Sequence, residues 1–585
     1  MNQSKIEIAR HSCAHILAAA VLEMFPEARF GIGPVIENGF YYDFDLPRTL
    51  IPEDLPILEE KMKKIIAKNL PFDKKEIPAK EAIKLFKKAK QNYKVELIEN
   101  LTKEIDKKPA GRSKVRIYKT GNFVDLCKGP HLDSSGEINP DAFKLTKIAG
   151  AYWKGDETQP MLQRIYGVLF ETKKELKEYL HRQKEAEKRD HRILGQKLEL
   201  FLFDEKVGAG LPIWLPKGAI LRKIIENYLY EELTKQNYDW LWTPHIGNLN
   251  LWKTSGHWNF YKENLYSPIQ IDEEQYLLKP MNCPFHIKAY QTKIRSYRAL
   301  PIKYAEMGTV YRYEKSGVLH GLTRVRGFTQ DDAHIFCTKE QLSQELLKTL
   351  KYGLKILKTF GFKDYDIYLS TRPKKYVGTL KNWEKSTNSL KFALDKLGLK
   401  YQIDPEEGVF YGPKIDIKIK DLLGRAWQCT TIQVDFNLPE KFKVTYIDKT
   451  GKKEQPIMIH RALLGSIERF IGVLIEHYAG AFPLWLAPVQ IWTIPIGSRY
   501  KKYANIVNNQ LKAANLRTEI KDENETISKK IREGEIQKIP YLLVVGDKEE
   551  KSKSVRVRQR GKGDIGMIKV DKFIKRMTKE IEKKK

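Results

Sequence analysis

Residues 308–334, GTVYRYEKSGVLHGLTRVRGFTQDDAH, constrain the fold more tightly than any other stretch of the chain. A hydrophobic run ends in Tyr311-Arg312-Tyr313-Glu314, a loop with Ser316 and Gly317 follows, and Thr323 to Gln330 alternates again. Two such runs across a Gly- and Ser-containing loop predict an antiparallel hairpin. Arg312 and Glu314 are two apart, which on a strand puts both on one face. A guanidinium there can grip a phosphate with two parallel hydrogen bonds. A carboxylate can accept from an exocyclic amine of a base. Taken alone, the pair reads as an ordinary ion pair on a strand face.

The rest of the stretch adds to that reading. Leu319 to His334, LHGLTRVRGFTQDDAH, resembles motif 2 of class II aminoacyl-tRNA synthetases, in the form of the threonyl-tRNA synthetase group. The resemblance implies that Arg312 holds the α-phosphate of ATP and Glu314 reads the adenine amine. It also implies that Phe328 stacks on adenine and Arg324 reaches the far end of the triphosphate.

A chain of 585 residues predicts several domains, and a hydrophobic fraction of 42% makes them globular. No apolar run is long enough to span a membrane, and the N-terminus lacks the core of a signal peptide. Five scattered cysteines argue against a disulfide framework and for a reducing, cytoplasmic setting. The net charge of +30 favours a polyanionic partner, although a general lysine bias would also produce it.

Residues 1–172 form the first expected unit. Ile6 to Phe25 has helical periodicity, and Pro26 ends it. His11 and His15 share one face of that helix at i and i+4. Cys127 and His131 are also four apart, after Asp125. These are zinc-ligand types, but the bare spacings are weak evidence for a metal. With AGAYWKGD (149–156) and MLQRIYG (161–167), they resemble the editing domain shared by threonyl- and alanyl-tRNA synthetases. The resemblance gives His11, His15, Asp125, Cys127 and His131 the handling of a mischarged ester and an attacking water, and implies no permanent metal. The chain starts almost at this helix, so the small ubiquitin-like domain of many bacterial relatives is expected to be absent.

Residues 173–192 read as a charged, solvated linker helix. Residues 193–486 are the expected catalytic domain. Helix 216–237, the strand Asp239 to Thr243 and Pro244 resemble motif 1, the dimer-forming element. His245-Ile246-Gly247-Asn248 nearly spells the signature of class I synthetases, but it opens no nucleotide-binding βαβ unit. Cys283 lies in KPMNCPFH, where Phe285 replaces the family's usual glycine. The run Ile457 to Arg461, followed by a helix expected from Leu463, resembles motif 3. By that resemblance Arg469 covers the adenine opposite Phe328 and touches the triphosphate, completing a catalytic set of Arg312, Arg324 and Arg469.

Cys283, His334 and His460 are 51 and 126 residues apart, so no spacing rule joins them. The resemblance does, as three ligands of one Zn²⁺ per chain with an open position. It also places Met281, Gln330, Asp332, Tyr411, Gln433 and Ala462 around L-threonine, and Lys414, Gln428, Thr431 and Ser466 near ATP and its Mg²⁺. An apolar pocket separates threonine from isosteric valine by only about a hundredfold, so a metal that demands a hydroxyl answers a physical need. Serine would still pass, and a separate hydrolytic site becomes necessary.

Residues 487–585 alternate β and α and carry 25 Lys+Arg against 13 Asp+Glu from 491 onward. They resemble an anticodon-binding domain, with Asn524, Arg532, Glu549 and Arg558 at contacting positions and Lys538 where the pattern tends to have arginine. The expected whole is a multidomain α+β and α/β homodimer built on a class II antiparallel sheet. It would charge tRNA(Thr) with threonine and hydrolyse seryl-tRNA(Thr), away from any membrane. The rivals are another class II enzyme such as a prolyl-tRNA synthetase, a non-catalytic RNA-binding paralogue, and a simple zinc hydrolase. The zinc triad argues against the first and the intact arginines against the second. The third leaves three motifs unexplained.

Overall fold

The structure, a computed structural model, describes residues 4–105, 114–421 and 423–584. The chain divides into two compact units, Met1–Lys184 and Glu185–Lys585.

In the first unit the helix Lys5–Met24 opens on a capping box, Ser4 with Glu7, and is buried along most of its length. It covers a five-stranded sheet whose main path runs Arg29–Phe30, Gly39–Asp45, Met161–Leu169, Phe143–Tyr152. A second sheet orders Asp73–Pro78, Lys114–Thr120 and Phe123–Leu126. Phe30, Phe40, Phe44 and Phe123 fill the space between helix and strands. The charged helix Lys173–Arg189 buries only Leu176 and spans the division between the units. Asp190 then caps the helix His191–Lys197, accepting from the N–H of Arg192 at 2.8 Å.

The second unit is built on an eight-stranded sheet. Its order is Asp239–Trp240, Ile302–Tyr311, Gly327–Cys337, Ile457–Ser466, Ala426–Asp435, Lys414–Lys420, Tyr365–Ser370, Gln402–Asp404. Only the two outermost pairings are parallel. Register brings distant residues into rows. Tyr304, His334, His460, Gln433 and Lys414 are successive cross-strand neighbours. So are Glu306, Asp332, Ala462, Thr431 and Asp416. Strand alternation puts both rows on one face. The opposite face carries Ala333, Ile335, Ile459, Ile432, Val434 and Ile415 and packs under the helices Leu342–Thr359, Leu380–Lys396 and Ile467–Tyr478.

The chain ends in a five-stranded mixed sheet, ordered Thr518–Ile520, Ile491–Pro495, Tyr541–Val545, Ser554–Gln559, Gly563–Lys569, with helices Lys501–Ala513, Ile527–Ile536 and Val570–Glu582. Its first three strands are parallel, as expected of an α/β unit.

Three sequence expectations need correction. The hairpin strands are Ile302–Tyr311 and Gly327–Cys337, so Arg312 and Glu314 lie beyond the first strand and do not share its face. The Arg312 N–H still donates to the Arg326 carbonyl at 2.9 Å, but the Glu314 N–H turns back to the Arg312 carbonyl at 3.0 Å and bends the chain out of the ladder. The first helix of the motif 1 region ends at Thr234, not 237, and its strand is only Asp239–Trp240; Asn237, at φ 59°, turns the chain between them. Third, no helix starts at Leu463: the strand runs to Ser466 and the helix begins at Ile467. The cause is Asp331. Its carboxylate accepts the N–H groups of Leu463, Leu464 and Gly465 at 2.7, 3.0 and 2.9 Å. These three residues bulge out of register opposite it, between the pairs Gln330–Ser466 and Asp332–Ala462. Gly465 sits at φ 75°, a conformation that favours glycine.

Asp331 is fully buried beside the equally buried Arg461 guanidinium, 3.6 Å away. Asp331→Ala would strand three backbone donors at about 1–3 kcal/mol each and leave Arg461 uncompensated. We expect this variant to be insoluble or to lose its first thermal transition, with Asp331→Asn in between. A thermal melt of Asp331→Ala within a degree or so of wild type would show that the carboxylate does not hold the bulge.

Candidate active site

The two rows of side chains open into a cleft of about 270 Å³. Met281, Cys283, Arg312, Phe328, Gln330, Asp332, His334, Tyr411, Lys414, Gln428, Thr431, Gln433, His460, Ala462, Ser466 and Arg469 all line it. Of the residues expected around metal, nucleotide and amino acid, only Glu314 and Arg324 lie outside its wall, in the loop above.

Cys283 starts the helix Cys283–Tyr290, and His334 and His460 face each other across neighbouring strands. All three are buried, and their ligand atoms lie within 4.8 Å of one another. His334 Nε2 and His460 Nδ1 are 3.1 Å apart. The other ring nitrogens are engaged. His460 Nε2 donates to the Asp435 carboxylate at 3.0 Å. His334 Nδ1 contacts His286 Nδ1 at 2.9 Å, and His286 Nε2 donates to Glu306 at 3.2 Å. Carboxylates at both ends set the tautomers, so His334 Nε2 and His460 Nδ1 present lone pairs to one spot beside the Cys283 sulfur. Two lone pairs at that distance repel unless a cation or proton shares them. Two imidazoles and a thiol, each imidazole backed by a carboxylate directly or through a relay, form a donor set that fits zinc. Burial pushes the Cys283 thiol well up, so a thiolate there needs a neighbouring cation.

The other end of the cleft is positive. Arg312 stacks 5.1 Å over the Phe328 ring, and among the described residues no carboxylate pairs with it. Arg469 donates through Nε to the Thr323 carbonyl at 3.1 Å and through Nη1 to that of Gln428 at 3.4 Å. Burial, with the nearby Arg312 and Arg324, lowers its pKa, although Cys429 and Glu314 oppose the shift. A guanidinium short of solvent and of acidic partners favours an anion. Arg324 is paired, placing both Nε and Nη2 on one Glu314 oxygen at 3.1 and 3.0 Å.

Between the two ends, Tyr411 donates to Gln433 at 2.9 Å, and Asn282 donates to Asp332 at 3.0 Å. Burial raises the Asp332 carboxyl. Asp416 gathers Lys414 at 2.7 Å, Gln428 at 2.6 Å and Thr431 at 2.8 Å. Sequence reasoning missed Asn282, His286, Glu306, Asp416 and Asp435, which orient the lining residues. It also missed the buried His257, which donates or accepts at Ser255 Oγ (2.7 Å) and lies 4.0 Å from the Cys283 sulfur. Their signal is pairwise and long-range; only Asn282 and His286, inside the Cys283 motif, were within reach. Phe285 fills a space beside Gly247, where a Cβ would come within 2.9 Å of its ring.

The first unit holds a second centre. The ligand atoms of His11, His15, Cys127 and His131 lie within 4.8 Å of one another. Cys127 Sγ is 3.2 Å from His11 Nε2 and 3.3 Å from His131 Nε2. The Pro130 carbonyl takes His11 Nδ1 at 3.1 Å, and Ser12 Oγ meets His131 Nδ1 at 3.2 Å. The buried Asp125 accepts from the Tyr42 hydroxyl at 2.6 Å, faces His15 Nε2 at 3.3 Å and pairs with Lys94. Tyr42 and Lys94 are functional neighbours that no sequence pattern announced. Burial lowers His11, His15 and His131 and pushes Cys127 up to about 11. At neutral pH the centre therefore holds neutral imidazoles and a thiol, not a thiolate nucleophile. Such a set can hold a hydroxyl-bearing ligand and a water. His15 Nδ1 is buried without a protein partner.

The four residues expected to contact an anticodon come from the loop before the helix Ile527–Ile536, that helix, the helix Asp547–Lys551 and the strand Ser554–Gln559. Asn524 and Arg532 are exposed. Glu549 accepts the Gly546 N–H at 3.1 Å, and Arg558 lies 3.8 Å from Glu535. Among the described residues no hydrogen bond or ion pair directly joins any two of the four.

Residues 265–478 match the tRNA synthetase class II core domain (G, H, P, S and T), 490–580 an anticodon binding domain, and 115–166 the threonyl and alanyl tRNA synthetase second additional domain. The chain is 52% identical to a threonine–tRNA ligase of Sulfurihydrogenibium sp. (strain YO3AOP1), covering 100% of this chain and 90% of that protein. It is 55% identical to one of Dehalococcoides mccartyi (strain BAV1), covering 95% and 94%. A crystal structure described as the RNA binding domain of threonyl-tRNA synthetase from Cryptosporidium parvum Iowa II superposes with a TM-score of 0.65 at 41% identity, over 67% of this chain and 98% of that one. Identity above one half over nearly the whole chain, with core, second additional and anticodon-binding domains in order, makes this chain a member of the threonine–tRNA ligase family.

Proposed function

We infer that this chain activates L-threonine with ATP to threonyl-adenylate and transfers it to the 3′ end of tRNA(Thr), and that its first unit hydrolyses mischarged seryl-tRNA(Thr). The observation that carries this reading is a single cleft with a buried Cys283–His334–His460 donor set at one end, Arg312 and Arg469 at the other, and Arg324 in the loop above. On this reading the domains are 1–172 for editing, 173–192 as linker, 193–486 for synthesis and 487–585 for the anticodon, the last through Asn524, Arg532, Glu549 and Arg558. No helix among the described residues is long and apolar enough to cross a membrane, and we place the protein in the cytoplasm. The indole of Trp242, just past the motif 1 strand, is 94% exposed and suits the face of a homodimer.

The threonine carboxylate attacks the α-phosphorus of ATP, and pyrophosphate leaves with Mg²⁺. Side chains contribute position and charge more than acid–base chemistry. Arg312 clamps the reacting phosphate, while Arg324 and Arg469 take the leaving phosphates. Phe328 and Arg469 sandwich the adenine, and Glu314 accepts from its amine. Lys414, Gln428, Thr431 and Ser466 line the nucleotide's path. Met281, Gln330, Asp332, Tyr411, Gln433 and Ala462 surround the amino acid, with the Asp332 carboxylate suited to an ammonium group. Zn²⁺ held by Cys283, His334 and His460 would supply an open Lewis-acid position that demands an amine and a hydroxyl, and so rejects valine.

Serine lacks only a methyl group, worth about 1–3 kcal/mol, so it is activated too. In the first unit, neutral His11 and His15 would hold the terminal ribose and a water, with Cys127 and His131 behind them. Asp125, anchored by Lys94 and Tyr42, would fix the serine ammonium.

Three measurements test these roles. Arg312→Ala should lower threonine-dependent ATP–pyrophosphate exchange by about 10²–10³-fold, the usual cost of one preorganised charge donor; exchange near wild type would take Arg312 out of the mechanism. The purified protein should carry zinc at about one equivalent per chain. Cys283→Ala should lose both the zinc and threonine binding, and a zinc-free preparation that still rejects valine would sink the metal's role. Finally, the His11→Ala/His15→Ala double variant should keep exchange activity yet fail to deacylate pre-made seryl-tRNA(Thr). If it clears that substrate at the wild-type rate, editing resides elsewhere.

A further inference from the structure

A third cluster lies away from the wall of the cleft. Asp190, His191 and Glu476 bring three ligand-type atoms within 4.8 Å of one another. Its chemistry is not that of a cation site, because both ring nitrogens of His191 are committed to protein hydrogen bonds. Nδ1 donates to Glu476 Oε1 at 2.7 Å, and Nε2 accepts the backbone N–H of Leu322 at 3.0 Å. The two bonds fix one neutral tautomer, and the ring is fully buried. Glu476 also accepts the His191 backbone N–H at 3.3 Å, and its second oxygen lies 3.6 Å from Arg425.

The chain's two ends of this relay matter. Glu476 is in the last turn of Ile467–Tyr478, the helix that carries Arg469. Leu322 is in the loop between the hairpin strands, which carries Glu314 and Arg324. That loop closes on itself: the His320 N–H donates to the Arg324 carbonyl at 3.1 Å, and the Arg324 N–H to the His320 carbonyl at 3.2 Å. Its inner turn, Leu322 and Thr323, is buried, whereas the Arg324 side chain is 51% exposed. Arg469 grips the Thr323 carbonyl from one side and His191 grips the Leu322 N–H from the other. Gly321, at φ 47°, leaves room for the ring: a Cβ there would stand 2.2 Å from His191 Nε2.

We propose that His191 is a positioning residue for nucleotide binding, tying the buried turn of the loop to the Arg469 helix so that Glu314 and Arg324 stay over the cleft. It touches no reacting atom. This role rests on the adenylate-forming reading above, which a wild-type chain without threonine-dependent exchange would overturn separately.

The test uses the full-length chain and threonine-dependent ATP–pyrophosphate exchange. His191→Asn keeps a donor near the Nδ1 position but loses the acceptor for Leu322. His191→Gln puts an amide oxygen near the Nε2 position and keeps that acceptor. Leaving a buried N–H unpaired should raise the KM for ATP about tenfold in His191→Asn, with the KM for threonine and the zinc content unchanged. His191→Gln should return to within about threefold of wild type. Equal losses in the two variants, an unchanged KM for ATP, or a matching rise in the KM for threonine would each overturn the proposal. Should His191→Asn fail to fold, Glu476→Met removes the acceptor of both His191 bonds while keeping the side chain's length. A several-fold rise confined to the KM for ATP would then support the role, and no such rise would end it.

Discussion

One buried carboxylate determines where the catalytic sheet hands over to its covering helix. Asp331 faces a bulge in which three consecutive residues, Leu463 to Gly465, have no ladder partner. Without an acceptor, those N–H groups would be buried and unpaired, a cost no sheet tolerates. With it, the strand Ile457–Ser466 extends far enough to place His460 beside His334, then turns at Ser466, whose hydroxyl accepts the Arg469 N–H at 3.2 Å. His460 and Arg469 thus flank one strand-to-helix junction, at opposite ends of one cleft. Burial raises Asp331 to about 6, while Arg461 and the three N–H groups pull the other way.

Much of this was legible in the sequence, in proportion to how local each signal was. The resemblance grouped Gln330, Asp332 and His334, and the strand Gly327–Cys337 sets them at alternate positions on one face. The helix with His11 and His15 was legible from its period and from Pro26. The helix expected from Leu463 failed for a physical reason. Residues 463–478 carry a helical apolar pattern, and what overrides its first turn is a carboxylate on another strand. The pairing of Arg312 with Glu314 on one face failed similarly, because the turn at Glu314 is set by a backbone bond that no side-chain pattern encodes. Lys94 and Tyr42, which hold Asp125, come from separate elements and leave no spacing to read.

The two centres solve different electrostatic problems. On the proposed reading the synthetic cleft must attract a triphosphate, and its guanidiniums have counter-charges that are few or removable. The second centre is partly buried and nearly neutral. Burial holds His11, His15 and His131 in their uncharged forms and Cys127 as a thiol, and its one strong charge pair, Lys94 with Asp125, is internally balanced. A neutral, polar site has little to attract free ATP or pyrophosphate, and on the proposed reading it would suit a ribose and a water. Separate units allow both environments in one chain, since neither set of charges has to serve the other's substrate.

Within the synthetic cleft, the groups also differ in how free they are to move. His334 and His460 are fixed by strand register and by the carboxylates behind them, and Arg469 is fixed by two backbone carbonyls. Glu314 and Arg324 are different. They satisfy each other at 3.0 Å in a loop where the arginine is half in solvent, and a surface pair of this kind is worth at most about 1 kcal/mol. A ligand that brings an amine for the carboxylate and a phosphate for the guanidinium replaces both halves of the pair at once, so neither charge is left alone. On the proposed reading the pair would act as a placeholder: it keeps two opposite charges compatible above the open cleft and costs little to part.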